Sequence, residues 1–326
     1  MTDDPADRTL SPDEAFEVLG NETRVDILRA LGGSDDPVTF SRLRERVGMT
    51  DSGRFNYHLD RLTGHFVRKG EDGYELRRAG ERVVEAVLSG AVTDAPVLER
   101  TEIDQPCHYC GAPIAVRFRE ERVELYCTEC AGTYAHTDPG GETCADADAD
   151  DADDADYGYL GYHPLPPAGV ADRDPEAVFR SAWVWGHLEL LAASAGVCPR
   201  CSATLDRSTR VCEDHDPDAG LCGACGRRYA VAIDLECTNC IYDESGAAVV
   251  GLADSAHLVA FLLDNGLNPF APTAETLPAI GRAYHNFDEE VVSTDPFEAR
   301  VTFAAGEDEL TLTVDSSLSV VDAERR

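Results

Sequence analysis

Cys107-His108-Tyr109-Cys110 and Cys127-Thr128-Glu129-Cys130 close the two ends of one short hairpin, and that stretch sets how the rest of the chain is read. Between the pairs, Ile114, Val116 and Phe118 alternate with other residues, Glu120-Glu121-Arg122 turns the chain, and Val123 and Leu125 alternate back. Period-two alternation on both sides of a polar turn predicts a β-hairpin with a Cys pair at each end. Zinc takes four thiolate or imidazole ligands in a tetrahedron, and two tight Cys-x-x-Cys turns brought together by a hairpin supply them. Gly111, directly after the second Cys, permits the sharp turn.

Two further units follow. Cys222, Cys225, Cys237 and Cys240 repeat the layout, with Gly226 after the second Cys and with Tyr229, Val231, Ile233 and Leu235 alternating between the pairs. Cys198, Cys201, Cys212 and His215 form a set of three thiols and one imidazole with similar spacing. Read consecutively, these make two separate ligand sets; a cross-braced pairing of the eight stays open, since spacing does not decide connectivity. The expectation is two or three Zn2+ per chain. Each set is ligand-saturated, with no open position for catalysis, so the sites read as structural. The hairpin at 107–130 resembles a zinc ribbon. Cys144, amid aspartates, is expected to be unliganded.

Twelve cysteines in a chain expected to be cytosolic argue for metal rather than disulfides. No run of apolar residues is long enough for a membrane span, and a cytoplasmic protein with no membrane partner is expected. The charge is extreme, 28 basic against 62 acidic residues, and Lys69 is the only lysine. Such a surface suits a cytoplasm at very high salt, as in halophiles, where self-repulsion is screened. Residues 11–90, however, hold 12 basic and 15 acidic residues, so the rest of the chain carries almost all of the −34 net charge. A nearly neutral module with clustered arginines can still present a basic face.

That front module reads as helices, then a hairpin, then a helix. Ser11-Pro12-Asp13-Glu14 starts the first helix, with Phe16, Val18 and Leu19 as its apolar face. Val25, Ile27, Leu28 and Leu31 mark the second, Thr39 to Val47 the third, and Thr50 or Asp51 caps a fourth through Tyr57, Leu59 and Leu62. Asp72-Gly73 between apolar runs is a hairpin signal, and Ala79–Leu88 is an amphipathic closing helix. Leu19-Gly20-Asn21-Glu22-Thr23-Arg24 and Phe55-Asn56-Tyr57-His58-Leu59 are similar to the first core helix and the recognition helix of ArsR-type winged helix-turn-helix regulators of the haloarchaeal kind. Gly64-His65-Phe66-Val67 departs from that family's usual Gly-Leu-Val. The metal-sensing role of some ArsR-type proteins does not carry over, because no Cys precedes Cys107 and Ala79–Leu88 holds no His.

The resemblance implies a recognition helix in the major groove. Ser52, Arg54, Asn56 and Tyr57 are the candidate base or phosphate contacts, with Phe55, Leu59 and Leu62 facing the core and His58 a core or cap residue. Arg68 and Lys69 on the wing, with Arg77 and Arg78 beside it, would reach phosphates.

The expected organisation is multidomain: an all-α/winged-helix (α+β) DNA-binding domain at 11–90, a linker at 91–105, a zinc-ribbon hairpin at 106–135, an acidic disordered loop at 136–160, and an α+β region at 161–326 carrying the Cys-rich units at 198–240. The expected function is a DNA-binding transcriptional regulator whose partners are double-stranded DNA, a second copy in a homodimer, and the transcription machinery. The alternative is a general transcription or RNA polymerase accessory factor similar to transcription factor E, which also couples a winged helix to a zinc ribbon and does not require base-specific reading. No phosphate loop, nucleophile elbow or open metal site points to an enzyme.

Overall fold

A computed structural model describes residues 10–135, 157–216 and 220–326. The chain divides into two compact units, Met1–Asp94 and Ala95–Arg326. The acidic loop expected at 136–160, apart from its last four residues, and Cys144 lie outside the described residues.

In the first unit the helices are α1 (Pro12–Leu19), α2 (Glu22–Gly32), α3 (Phe40–Arg46), α4 (Ser52–Leu62) and α5 (Arg78–Leu88). A hairpin of β1 (Val67–Lys69) and β2 (Tyr74–Leu76) precedes α5. Ser11 starts α1 with a full capping box: its hydroxyl accepts from Glu14 N–H, and the Glu14 carboxylate accepts from Ser11 N–H. The cap of α4 is Asp51, whose carboxylate accepts from Gly53 and Arg54 N–H at 2.9 and 3.0 Å. Those two bonds hold the Asp51 carboxyl below the usual carboxylate range. The core gathers Ile27, Leu28, Leu31, Leu43, Phe55, Leu59, Leu62 and Val67. Phe16, expected on the apolar face of α1, is instead 75% exposed, and Val18 alone of that helix is buried. An eight-residue helix offers one stripe to its neighbour, and Phe16 lies off it.

The second unit holds three antiparallel sheets around one continuous apolar core. The first runs β3 (Leu98–Pro106), β4 (Pro113–Arg119), β5 (Arg122–Cys127), β6 (Gly158–Pro164), each strand paired to the next. The stretch expected as a linker at 91–105 is therefore mostly strand. Its residues lack the clean alternation that marks an amphipathic strand, because β3 is an edge with register shifts. The 106–135 hairpin likewise belongs to the larger unit and shares its core. β4 and β5 are buried on both faces. On the face away from Val116 and Leu125, buried Glu124 accepts from Arg117 Nε at 2.7 Å, and Arg117 also donates to Tyr126 Oη at 2.7 Å, so the charges are paired.

The long helix α6 (Pro175–Ser194), capped by Asp174, packs on β3, β5 and β6 with Val178, Phe179, Ala182 and Trp183. The second sheet is β7 (Leu205–Val211), β8 (Val231–Cys237), β9 (Asp243–Ala247). Helices α7 (Ala256–Asp264) and α8 (Leu277–His285) lead to the third: β10 (Asp288–Thr294), β11 (Phe297–Ala305), β12 (Asp308–Val314), β13 (Val320–Arg325). Its inward residues Ala299, Val301, Phe303, Leu310, Leu312 and Val314 complete the core. Among the described residues no helix is long and apolar enough to cross a membrane.

Candidate metal centres and the α4 surface

Three clusters of four ligand atoms stand in the second unit, the atoms of each within 4.8 Å of one another. The first is Cys107, Cys110, Cys127 and Cys130. β3 delivers Cys107, β5 delivers Cys127, and the pairing of Ile114 with Cys127 brings the turns together. Gly111 sits at φ +81°, where a side chain would be strained, and its N–H closes the first turn on the Cys107 carbonyl at 3.0 Å. The sulfurs of Cys110 and Cys127 lie 3.4 Å apart, those of Cys107 and Cys130 3.8 Å. Backbone N–H groups of Tyr109, Glu129 and Cys130 point at the Cys107 and Cys127 sulfurs. Burial pushes the Cys107 thiol up, whereas at Cys127, against burial, the Glu129 and Cys130 N–H groups draw the thiol down, so the cluster holds unlike sulfurs.

The remaining eight ligands pair differently from the consecutive reading. Cys198 and Cys201 join Cys237 and Cys240, and Cys212 and His215 join Cys222 and Cys225. The sets are nested rather than consecutive or cross-braced. The reason is the β7–β8 pairing, which places Leu205 opposite Cys237 and Val211 opposite Val231. One end of that hairpin gathers the outer pairs and the other end the inner pairs. The signal lay in the sequence: two alternating stretches of equal length, Leu205–Val211 and Val231–Cys237, flank the inner ligands.

In the outer cluster Cys198 and Cys240 sulfurs are 3.6 Å apart, Cys201 and Cys237 3.5 Å. In the inner one, His215 Nδ1 faces Cys225 Sγ at 3.5 Å while Nε2 lies 3.1 Å from the Arg228 carbonyl. The carbonyl can only accept a hydrogen bond, so Nε2 carries the proton as donor, which leaves the Nδ1 lone pair for a cation. His215 thus turns Nδ1 toward Cys225 and stands where a fourth ligand of this cluster could be. N–H groups lower two thiols to about 6: that of Ala203 acts first on Cys201, that of Asp216 first on Cys222. The first and inner clusters adjoin. Arg228 N–H donates to Thr133 O and its Nε to Gly132 O, both at 2.9 Å, and Ala135 N–H reaches Gly226 O at 2.7 Å. The Arg228 guanidinium covers the Tyr109 ring at 3.9 Å from its centroid.

Histidines drawn from separate elements were not legible as a group. His163 on β6, His187 on α6 and His285 ending α8 surround Trp183, and His108 lies 5.0 Å from His285, ring to ring. Nε2 of His108, His163 and His187 is buried without a hydrogen bond. Burial pushes His163 and His187 down to about 3 and His285 to about 4. No spacing rule joins four isolated residues on four elements.

In the first unit, α4 buries Phe55, His58, Leu59 and Leu62 and exposes Ser52, Arg54, Asn56, Tyr57 and Asp60. Asn56 donates to Asp60 at 2.6 Å. On the hairpin, Arg68 pairs with Glu75 and Lys69 lies over the Tyr74 ring; Arg78 pairs with Glu81 and Glu85.

A family model described as a domain of unknown function (DUF7347) matches residues 12–87, and one described as a domain of unknown function (DUF7351) matches residues 104–320. No curated protein and no solved structure matches the chain.

Proposed function

We propose, for a chain that belongs to the family of the domain of unknown function DUF7351 by a match over more than half its length, that it is a DNA-binding transcriptional regulator with zinc-stabilised architecture. The observation that carries the reading is the division of α4. One face is core, and the other presents Ser52, Arg54, Asn56 and Tyr57 from a helix whose N-terminus is capped and open to solvent. This arrangement suits a recognition helix in a winged helix-turn-helix of ArsR type. Arg54 would fork onto guanine and Asn56 onto adenine. The β1–β2 hairpin would serve as the wing, with Arg68 and Lys69 toward phosphates.

Thiolate-rich tetrahedral sets select zinc over the hard cations, and four ligands per site leave none for substrate. In this reading the two all-cysteine sets, and the set that His215 completes, hold three Zn2+ as structural ions in the second unit. Zinc supplies folding energy there, since few apolar residues lie in the turns themselves. The second unit would then serve a homodimer contact, an effector or the transcription machinery, with the protein in the cytoplasm. Genome-wide binding of the tagged protein, followed by footprinting at the strongest locus, is the test. A discrete protected sequence supports a regulator. Uniform weak protection would favour an accessory factor that does not read bases.

A further inference from the structure

We propose that the cluster of Cys198, Cys201, Cys237 and Cys240 is an oxidant-sensitive site, at which a peroxide joins Cys201 to Cys237 and expels the metal while the other clusters keep theirs. The inference rests on the zinc reading above.

The three clusters differ in what an oxidant can reach. At this one Cys201 is exposed, and Cys237 and Cys240 are half-buried. Ile241, next to Cys240, is fully exposed, so the turn stands in solvent. The inner cluster has no exposed thiol, and its fourth ligand is an imidazole. The first cluster does expose Cys110, yet the sulfur nearest to it belongs to Cys127. Cys127 is 0% exposed and is paired to Ile114 of β4 and Gly158 of β6. The thiol that would close a disulfide on Cys110 is thus shielded inside the sheet. Cys237 ends β8 as Cys127 ends β5, but it is half-buried rather than buried, and its sulfur lies 3.5 Å from that of Cys201.

The chemistry closes in two steps. The Cys201 thiolate attacks one peroxide oxygen, the O–O bond breaks, and a sulfenic acid and hydroxide form. The Cys237 thiolate then attacks that sulfur, the S–O bond breaks, and a second hydroxide leaves. Two thiolates are oxidised by two electrons, and hydrogen peroxide with two protons becomes two waters. Cys198 and Cys240 alone bind zinc weakly, so the ion departs. The new bond joins the same two turns that the metal joined, which keeps the open end of the β7–β8 hairpin closed. A small-molecule thiol restores the pair.

The test uses the full chain loaded with zinc, whose metal content is measured first. Fewer than about two equivalents at that stage counts against the zinc reading. Limiting hydrogen peroxide is then added, released zinc is followed with a chromogenic chelator, and disulfides are mapped by differential alkylation. The expected result is one zinc leaving at least about tenfold faster than the others, with Cys201 bonded to Cys237. C201H keeps four ligands and should slow that first release about tenfold. First disulfides among Cys107–Cys130 or Cys212–Cys225, or all zinc leaving together, overturn the proposal. If C201H binds no third metal, the disulfide map of the unmodified chain alone decides.

Discussion

His215 and Arg228 meet through one contact, the 3.1 Å approach of Nε2 to the Arg228 carbonyl, and Arg228 also bonds the turn that follows Cys130. The inner cluster and the first cluster thus share a residue, whereas the outer cluster sits at the far end of β7–β8. His215→Ala should lower the metal content by one ion and weaken the first cluster by about tenfold through the loosened 226–228 segment. The outer cluster should be untouched. Native mass spectrometry during chelator competition reads both effects. An unchanged first cluster would mean that the Arg228 bonds carry no coupling.

The buried histidines predict an acid-sensitive second unit. His163 and His187 fall to about 3 and His285 to about 4 in the fold, against an ordinary histidine value of 6.5. The unfolded chain therefore binds more protons between these limits. Stability from keeping these rings neutral is fully present above about pH 6.5 and is lost as pH falls toward 3 to 4. Each ring costs about 1.4 kcal/mol per pH unit over that window. His187→Phe keeps a ring stacked on Trp183 and removes one titrating group. Its stability should fall less steeply between about pH 6.5 and 4, by about one proton, in denaturant titrations. Thiol protonation is common to both proteins and cancels in the comparison.

Close approach of backbones makes a third prediction. A Cβ at Gly158 would collide with the Cys130 carbonyl, and one at Gly132 with the Tyr159 carbonyl. These glycines let β6 lie directly on the second turn of the first cluster, where Thr133 N–H bonds Tyr159 O at 2.7 Å. Gly158→Ala should destabilise the second unit by about 3 kcal/mol, since backbone cannot yield as a side chain can. Thermal melting with zinc present checks it, and a shift under one degree would contradict it.

Much of this organisation was legible in the residues. Helix periodicity, the Ser11 cap, a cap at Thr50 or Asp51 and the core set Phe55, Leu59 and Leu62 on α4 follow from local rules, so the first unit reads almost end to end, Phe16 apart. The 107–130 hairpin reads equally well, because its ligands bracket a single alternating stretch. What failed was non-local. The nested ligand sets depend on β7 pairing with β8 across the inner ligands. β3 was hidden in a polar stretch whose partner strand supplies its order. The histidine cluster depends on α6, α8 and β6 converging, which no sequence spacing encodes.

The α4 surface makes the sharpest test of the proposed function. Asn56 donates to Asp60 at 2.6 Å, one helical turn on, so its amide is engaged before any DNA arrives. An adenine edge must compete with that carboxylate, which also repels phosphates. Asn56→Ala should weaken binding to the preferred site by about 1–3 kcal/mol, and Arg54→Ala by a similar amount. Random DNA should lose less in both cases. Asp60→Ala acts oppositely: it frees the amide and removes a negative charge, so affinity for the preferred site and for random DNA should both rise. The three variants are titrated on a labelled operator and on a scrambled duplex at the same KCl concentration, because electrostatic terms shift with salt. Equal losses for Asn56→Ala on both duplexes would remove base reading from α4 and leave it a phosphate contact.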